Sequence, residues 1–147
     1  MVLDGGQGAY SAIKACWPNA LIQRCLVHAQ RVIRRYTTAR PRTDAGKAIY
    51  ALALKLTTIT NLDQAREWTL HLHDFGQVYK TFLNEKTPVP KEHRTPNHQW
   101  EYTHIRVRKA YNSLLHLSRN NWLFTYLQPP PGALEPARWA STTNSLE

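Results

Sequence analysis

Asp4 closes the apolar run Val2-Leu3 and is followed by Gly5-Gly6-Gln7-Gly8 and then by a stretch of helical spacing. That order presents a carboxylate at the carboxyl edge of a strand in an α/β sheet, where ligands bind, and the glycines let a metal ion approach without competing side-chain bulk. The competing reading is a turn-forming aspartate that accepts backbone N–H bonds. A second isolated carboxylate, Glu147, ends the chain in Asn144-Ser145-Leu146-Glu147. This spacing also fits a capping box, in which the glutamate bonds back to the N–H of the cap residue. Cys25 and His28 set a thiol and an imidazole three residues apart. A structural zinc site needs four ligands and no second such pair follows, so the spacing argues against zinc. The plainer reading packs Cys25 as a small apolar residue and leaves His28 to hydrogen-bond nearby.

Basic residues crowd the segment from Arg24 to Lys47. Arg24, Arg31, Arg34, Arg35, Arg40, Arg42 and Lys47 face a single acid, Asp44. A helix with an arginine face followed by a basic loop suits a phosphate backbone, and a solvated helix face is the alternative. A second cluster, Arg106, Arg108 and Lys109, would extend the track, but helical spacing splits it between faces. Over all 147 residues, 19 Lys and Arg against 10 Asp and Glu give a charge of +9 and a pI near 9.9. Such a surplus favours a polyanion partner through phosphate neutralisation and counterion release, with nucleic acid the leading candidate. The two cysteines do not form a disulfide framework, which points to reduced thiols and a cytoplasmic setting. The amino terminus lacks the regions of a signal peptide, and no apolar run approaches the ~18 residues of a spanning helix, so no membrane is expected.

The elements that must position these groups follow from periodicity. Residues 1–4 read as the tail of a strand, Ala9 to Trp17 as a helix ended by Pro18-Asn19, and Ala20 to Gln23 as a second buried strand. Strand, helix, strand implies a parallel α/β unit. From His28 the pattern is helical, with Ala29, Val32, Ile33 and Tyr36 opposite Arg31, Arg34 and Arg35. Ile49, Leu52, Ala53 and Leu56 continue it after Asp44. Asn61 with Gln64 three residues on marks an N-cap, and Ala65, Trp68, Leu72, Phe75, Tyr79 and Phe82 then form the seam of one long helix. Residues 84–99, broken by Pro88, Pro90 and Pro96, read as an exposed loop. Tyr102 to Leu117 is helical again, Asn120 to Leu127 a short helix or turn, and Pro129-Pro130-Pro131-Gly132 a stiff connector before the start of a last helix at Asn144. The fold class is α/β, mainly helical.

Asp4-Gly5, then Gln23-Arg24-Cys25-x-x-His28, then a long helical stretch, then Thr143-Asn144-x-x-Glu147 resembles, in order and spacing across the whole chain, the mutator-type family of bacterial insertion-sequence transposases. The resemblance implies a ribonuclease-H-like fold with an Asp, Asp, Glu triad and an all-helical insertion before the Glu. On that basis Asp4 matches the second Asp and Glu147 the Glu, both as metal ligands, while Cys25 and His28 match the family's Cys/Asp-x-x-His signature near the active site. It further implies Mg as the metal and DNA at the transposon ends and target as the partner, for which the arginine face of Arg24, Arg31, Arg34 and Arg35 read from charge and spacing offers DNA contacts. A homo-oligomer of the full-length parent stays open. The chain divides accordingly into a partial ribonuclease-H-like core at 1–40, a helical insertion at 41–128, and a linker with the start of the Glu-bearing helix at 129–147. The first Asp is expected upstream of Met1, so the chain reads as a transposase fragment inactive on its own. A non-catalytic basic nucleic-acid-binding helical module is the alternative, and a purely helical interaction domain without DNA affinity a further one.

Overall fold

A computed structural model describes residues 1–128 and 140–143 of the chain. It begins with a strand β1 (Val2–Leu3), a helix α1 (Gln7–Cys16) and a strand β2 (Gln23–Arg24), and β1 and β2 pair in parallel with Val2 opposite Gln23 and Leu3 opposite Arg24. The expected parallel unit is present. Its second strand lies at Gln23–Arg24 rather than Ala20–Gln23, because the register is set by the partner: the Gln23 and Cys25 N–H groups donate to Met1 O at 2.8 Å and Leu3 O at 2.9 Å. On the other side of β2 the Arg24 N–H donates to Trp122 O at 2.6 Å. The buried Gln23 side chain reinforces that side, donating to Leu123 O at 2.8 Å and accepting from the Tyr126 N–H at 3.1 Å. These long-range bonds hold the short strand between two segments.

Among the described residues five further α-helices follow: α2 (Leu26–Thr37), α3 (Asp44–Lys55), α4 (Leu62–Val78), α5 (Lys80–Asn84) and α6 (Ile105–Arg119). Their starts are chemically marked. Thr43 caps α3 by accepting from the Gly46 N–H at 3.0 Å, and Asn61 caps α4 by accepting from the Gln64 N–H at 2.9 Å, satisfying otherwise unpaired donors. The apolar stripes read from the sequence meet as one core, where Leu26, Ile33, Ile49, Leu56, Leu72 and Leu114 are fully buried. Helix α2 packs against both α3 and α6. Trp68 crosses the core and donates its indole N–H to Leu52 O at 2.8 Å. A smaller cluster of Leu3, Ile13 and Ile22 lies under the parallel strands, with Trp122 packed against both clusters.

Two further expectations change. The seam from Ala65 to Phe82 is interrupted at Tyr79, so one long helix becomes α4 and α5, with Tyr79 and Phe82 packed against the core rather than buried in it. Residues 84–99 are not simply a loop: β3 (Lys86–Pro88) pairs antiparallel with β4 (Trp100–Tyr102), Lys86 opposite Tyr102. Pro88 is tolerated because a two-stranded ribbon consists of edges, where a missing N–H costs no ladder bond. The Lys86 ammonium sits 3.6 Å from the Trp100 ring centroid, which holds the exposed ribbon together. Among the described residues no helix is long and apolar enough to cross a membrane.

Candidate functional site

Parallel pairing brings the carboxyl ends of β1 and β2 to one edge, and the residues leaving those ends are Asp4 and Cys25. Helix α2 starts there with Cys25 as its N-cap residue, so His28 lies one turn in, on the same side. The three side chains meet. His28 Nδ1 stands 3.3 Å from Asp4 Oδ1 and 3.4 Å from Cys25 Sγ, and the three ligand atoms lie within 4.8 Å of one another. Asp4 is exposed, His28 half-buried and Cys25 buried.

The segment 140–143 returns to this place. Ser141 O accepts from the Leu26 N–H at 3.1 Å, and the Thr143 N–H and hydroxyl point at Cys25 Sγ from 3.5 and 3.6 Å. Burial pushes the Cys25 thiol up, but the His28 ring and backbone and the Thr143 backbone and hydroxyl pull it down further, from 9.0 to about 7.

Arg24 forms the other wall. Its guanidinium lies over Gly5, whose φ of +119° and lack of a side chain make room for it. Burial lowers the Arg24 pKa, while the charges of Asp4 and Cys25 raise it. Among the described residues the guanidinium has no hydrogen-bond acceptor, so its donors are available to a ligand. Asp4, Arg24 and His28 line a cleft closed on the far side by Ser113, His116 and Leu117 of α6. Nothing in the local sequence around Ser113 and His116 signals this role, because it depends on how α6 packs across α2.

The basic face divides by structure. Arg31, Arg34 and Arg35 are exposed along α2, at a spacing that shares one face, and have no acidic partner among the described residues. Arg106 does something else: its guanidinium donates to Tyr36 O at 2.9 Å and Arg35 O at 2.8 Å, closing the carboxyl end of α2. Arg108 likewise donates to Leu83 O at 2.9 Å and lies 3.8 Å from the Tyr102 ring centroid. The second basic cluster is therefore largely spent on internal carbonyls and an aromatic face.

The family model described as "Transposase, Mutator family" matches residues 1–121. The chain belongs to the Mutator family of transposases. It is also 33% identical over 63 residues to a "probable transposase for insertion sequence element" of Corynebacterium diphtheriae, a match covering 41% of this chain and 18% of that relative. No solved structure matches. In this Mutator-family chain the structure brings Asp4, Cys25, His28 and Arg24 together and places Arg31, Arg34 and Arg35 along the helix that leaves the site. Glu147 and the connector at 129–139 lie outside the described residues.

Proposed function

We propose that this chain is part of a transposase that cuts and joins DNA by metal-dependent phosphodiester displacement, on a ribonuclease-H-like core formed in part by residues 1–40. In this reading residues 41–128 are the helical insertion, and residues 129–147 return the chain to the site. One observation carries it: Thr143 bonds the sulfur of Cys25 beside Asp4, and the four residues from Thr143 to Glu147 span at most about 14 Å. A chain of that length would let Glu147 reach the Asp4 site, where the two carboxylates would hold divalent ions.

Asp4 is exposed, with one carboxylate oxygen facing His28 and the rest open to the cleft, as a hard-cation ligand requires. Glu147 supplies the second carboxylate and an aspartate on a preceding strand the third. Bound divalent ions would activate the attacking oxygen and stabilise the leaving one. The chain's own residues do the remainder. His28 holds the Asp4 carboxylate in one orientation by its 3.3 Å contact. Arg24 offers its donors to a phosphate at the cleft, where partial burial strengthens a charge-assisted bond. Arg31, Arg34 and Arg35 continue that contact along the DNA backbone.

With Asp4 and Glu147 but no third carboxylate, the 147-residue chain alone cuts no DNA in Mg or Mn. Extending it upstream through a strand bearing the missing aspartate restores strand cleavage and transfer. In that extended protein Asp4→Asn or Glu147→Gln abolishes chemistry and leaves DNA binding intact, whereas His28→Ala impairs it less completely. Cleavage retained in either carboxylate variant refutes the assignment and favours the second reading, a basic nucleic-acid-binding module. That reading draws on the unpaired arginine face of α2.

A further inference from the structure

The cluster of Asp4, Cys25 and His28 has a chemistry of its own that a hard-cation site does not use. A thiolate, an imidazole and a carboxylate form a borderline-soft donor set, which suits zinc and disfavours magnesium. Three protein ligands with a fourth position open are also the arrangement of zinc sites that exchange water or substrate, as distinct from closed four-ligand structural sites.

The distances fit. With bonds of ~2.0 Å to nitrogen and oxygen and ~2.3 Å to sulfur, the edges of a tetrahedron around zinc are about 3.3 to 3.6 Å long. His28 Nδ1 already stands 3.3 Å from Asp4 Oδ1 and 3.4 Å from Cys25 Sγ. The third edge, from sulfur to carboxylate, lies within the 4.8 Å that encloses the set. Closing it takes a rotation of Asp4, whose 55% exposed side chain is held by His28 Nδ1 at 3.3 Å, a direct contact that shared coordination would replace. The backbone needs no adjustment: the β1–β2 register fixes Asp4 against Cys25, the Cys25 N–H is held by Leu3 O at 2.9 Å, and the first turn of α2 sets His28 over Cys25. All three donors come from rigid elements or their immediate ends.

We propose that Asp4, Cys25 and His28 form a zinc-type metal site, binding one ion per chain through Oδ1, Sγ and Nδ1 and leaving one coordination position for solvent or a ligand. Binding expels the thiol proton from Cys25. The ion takes the carboxylate that the proposed DNA chemistry assigns to a hard cation, so zinc and magnesium compete for Asp4. The zinc site stands or falls independently of strand transfer, because its test uses the 147-residue chain and reads no cleavage.

Cobalt(II) is the probe. The Cys16→Ser chain, in which Cys25 is the remaining thiol, is titrated with Co²⁺ under anaerobic conditions. The expected result is a sulfur-to-cobalt charge-transfer band and tetrahedral visible bands, both saturating at one ion per chain. One equivalent of Zn²⁺ abolishes them and an excess of Mg²⁺ does not. Adding Cys25→Ser removes the charge-transfer band. Asp4→Asn and His28→Ala each weaken Co²⁺ binding about tenfold or more, since loss of even an outer-shell partner costs that much. Because a variant could fail to fold, the melting temperature of the Cys16→Ser chain is also measured with and without one equivalent of Zn²⁺, and a rise is expected. No charge-transfer band in a chain with intact helical circular dichroism overturns the site. So does a band undiminished in both Asp4→Asn and His28→Ala, which would mean binding by the thiol alone.

Discussion

Gly5→Ala isolates the contact that aims Arg24 at the cleft. Gly5 holds φ at +119°, well beyond the left-handed helical region that an L residue can occupy at modest cost. Alanine there carries a backbone penalty of about 2 kcal/mol. Its Cβ would also fall inside the Arg24 guanidinium, the far end of a flexible side chain. Driving that side chain from its rotamer adds about 1 kcal/mol. The total, about 3 kcal/mol, is a large fraction of the stability of a domain this size. Urea unfolding of four proteins separates the parts: the parent, Gly5→Ala, Arg24→Ala and the double variant. The backbone term persists without Arg24 and the steric term vanishes, so the cycle should return a coupling of about 1 kcal/mol. Binding of a short duplex, measured against salt, tests the functional half. Gly5→Ala should weaken binding as much as Arg24→Ala does, and each should reduce the slope of log K against log salt by about 0.9, the share of one phosphate. A cost below about 0.5 kcal/mol, or a coupling of zero together with unchanged DNA affinity, would refute the claim that Gly5 exists to seat this guanidinium.

Replacing Arg31, Arg34 and Arg35 together by Ala should lower duplex affinity irrespective of sequence and reduce the salt slope by about 2.7, one phosphate each; unaltered binding would take α2 off the DNA path. Arg106→Ala should do the reverse, lowering urea stability by about 1 to 2 kcal/mol through loss of its two bonds to the end of α2, with the salt slope unchanged. The Cys25 thiol, lowered from 9.0 to about 7 in the folded chain, binds fewer protons folded than unfolded between those values. Its contribution is therefore complete above pH 9, falls as the pH drops towards 7, and is gone below it. In chelator-treated samples, the stability difference between Cys16→Ser and Cys16→Ser/Cys25→Ser should grow from pH 6.5 to pH 9, and parallel curves would show that the thiolate is not favoured by folding.

What could be read along the chain was whatever depends on neighbours three or four residues away. The buried stripe of α4 and its Asn61 cap are local, and so is the spacing that sets His28 over Cys25. The β3–β4 ribbon escaped because the prolines that mark a loop are also compatible with a ribbon made of edges, and its pairing joins Lys86 to Tyr102. That Asp4 would meet Cys25 and His28 was illegible for a related reason. Spacing along the chain ties Cys25 to His28 alone, whereas Asp4 lies upstream, on a parallel strand whose register with β2 decides whether it reaches the cysteine.

The basic residues show the same limit in a form that bears on function. By charge and spacing Arg106 and Arg35 are equivalent candidates for a phosphate contact, yet Arg106 ends on the carbonyls of Tyr36 and Arg35 while the Arg35 side chain stays in solvent. What separates them is whether another element leaves unpaired carbonyls within reach, and the carboxyl end of α2 does so for α6. Net charge consequently overstates the number of arginines free to meet a phosphate. The arginines that remain, Arg24 at the cleft and Arg31, Arg34 and Arg35 along α2, start at the edge where Asp4 sits. In the proposed function a DNA backbone lying on them would bring its phosphates to Asp4, so the affinity and slope of these variants would bear on the proposed chemistry as well as on binding.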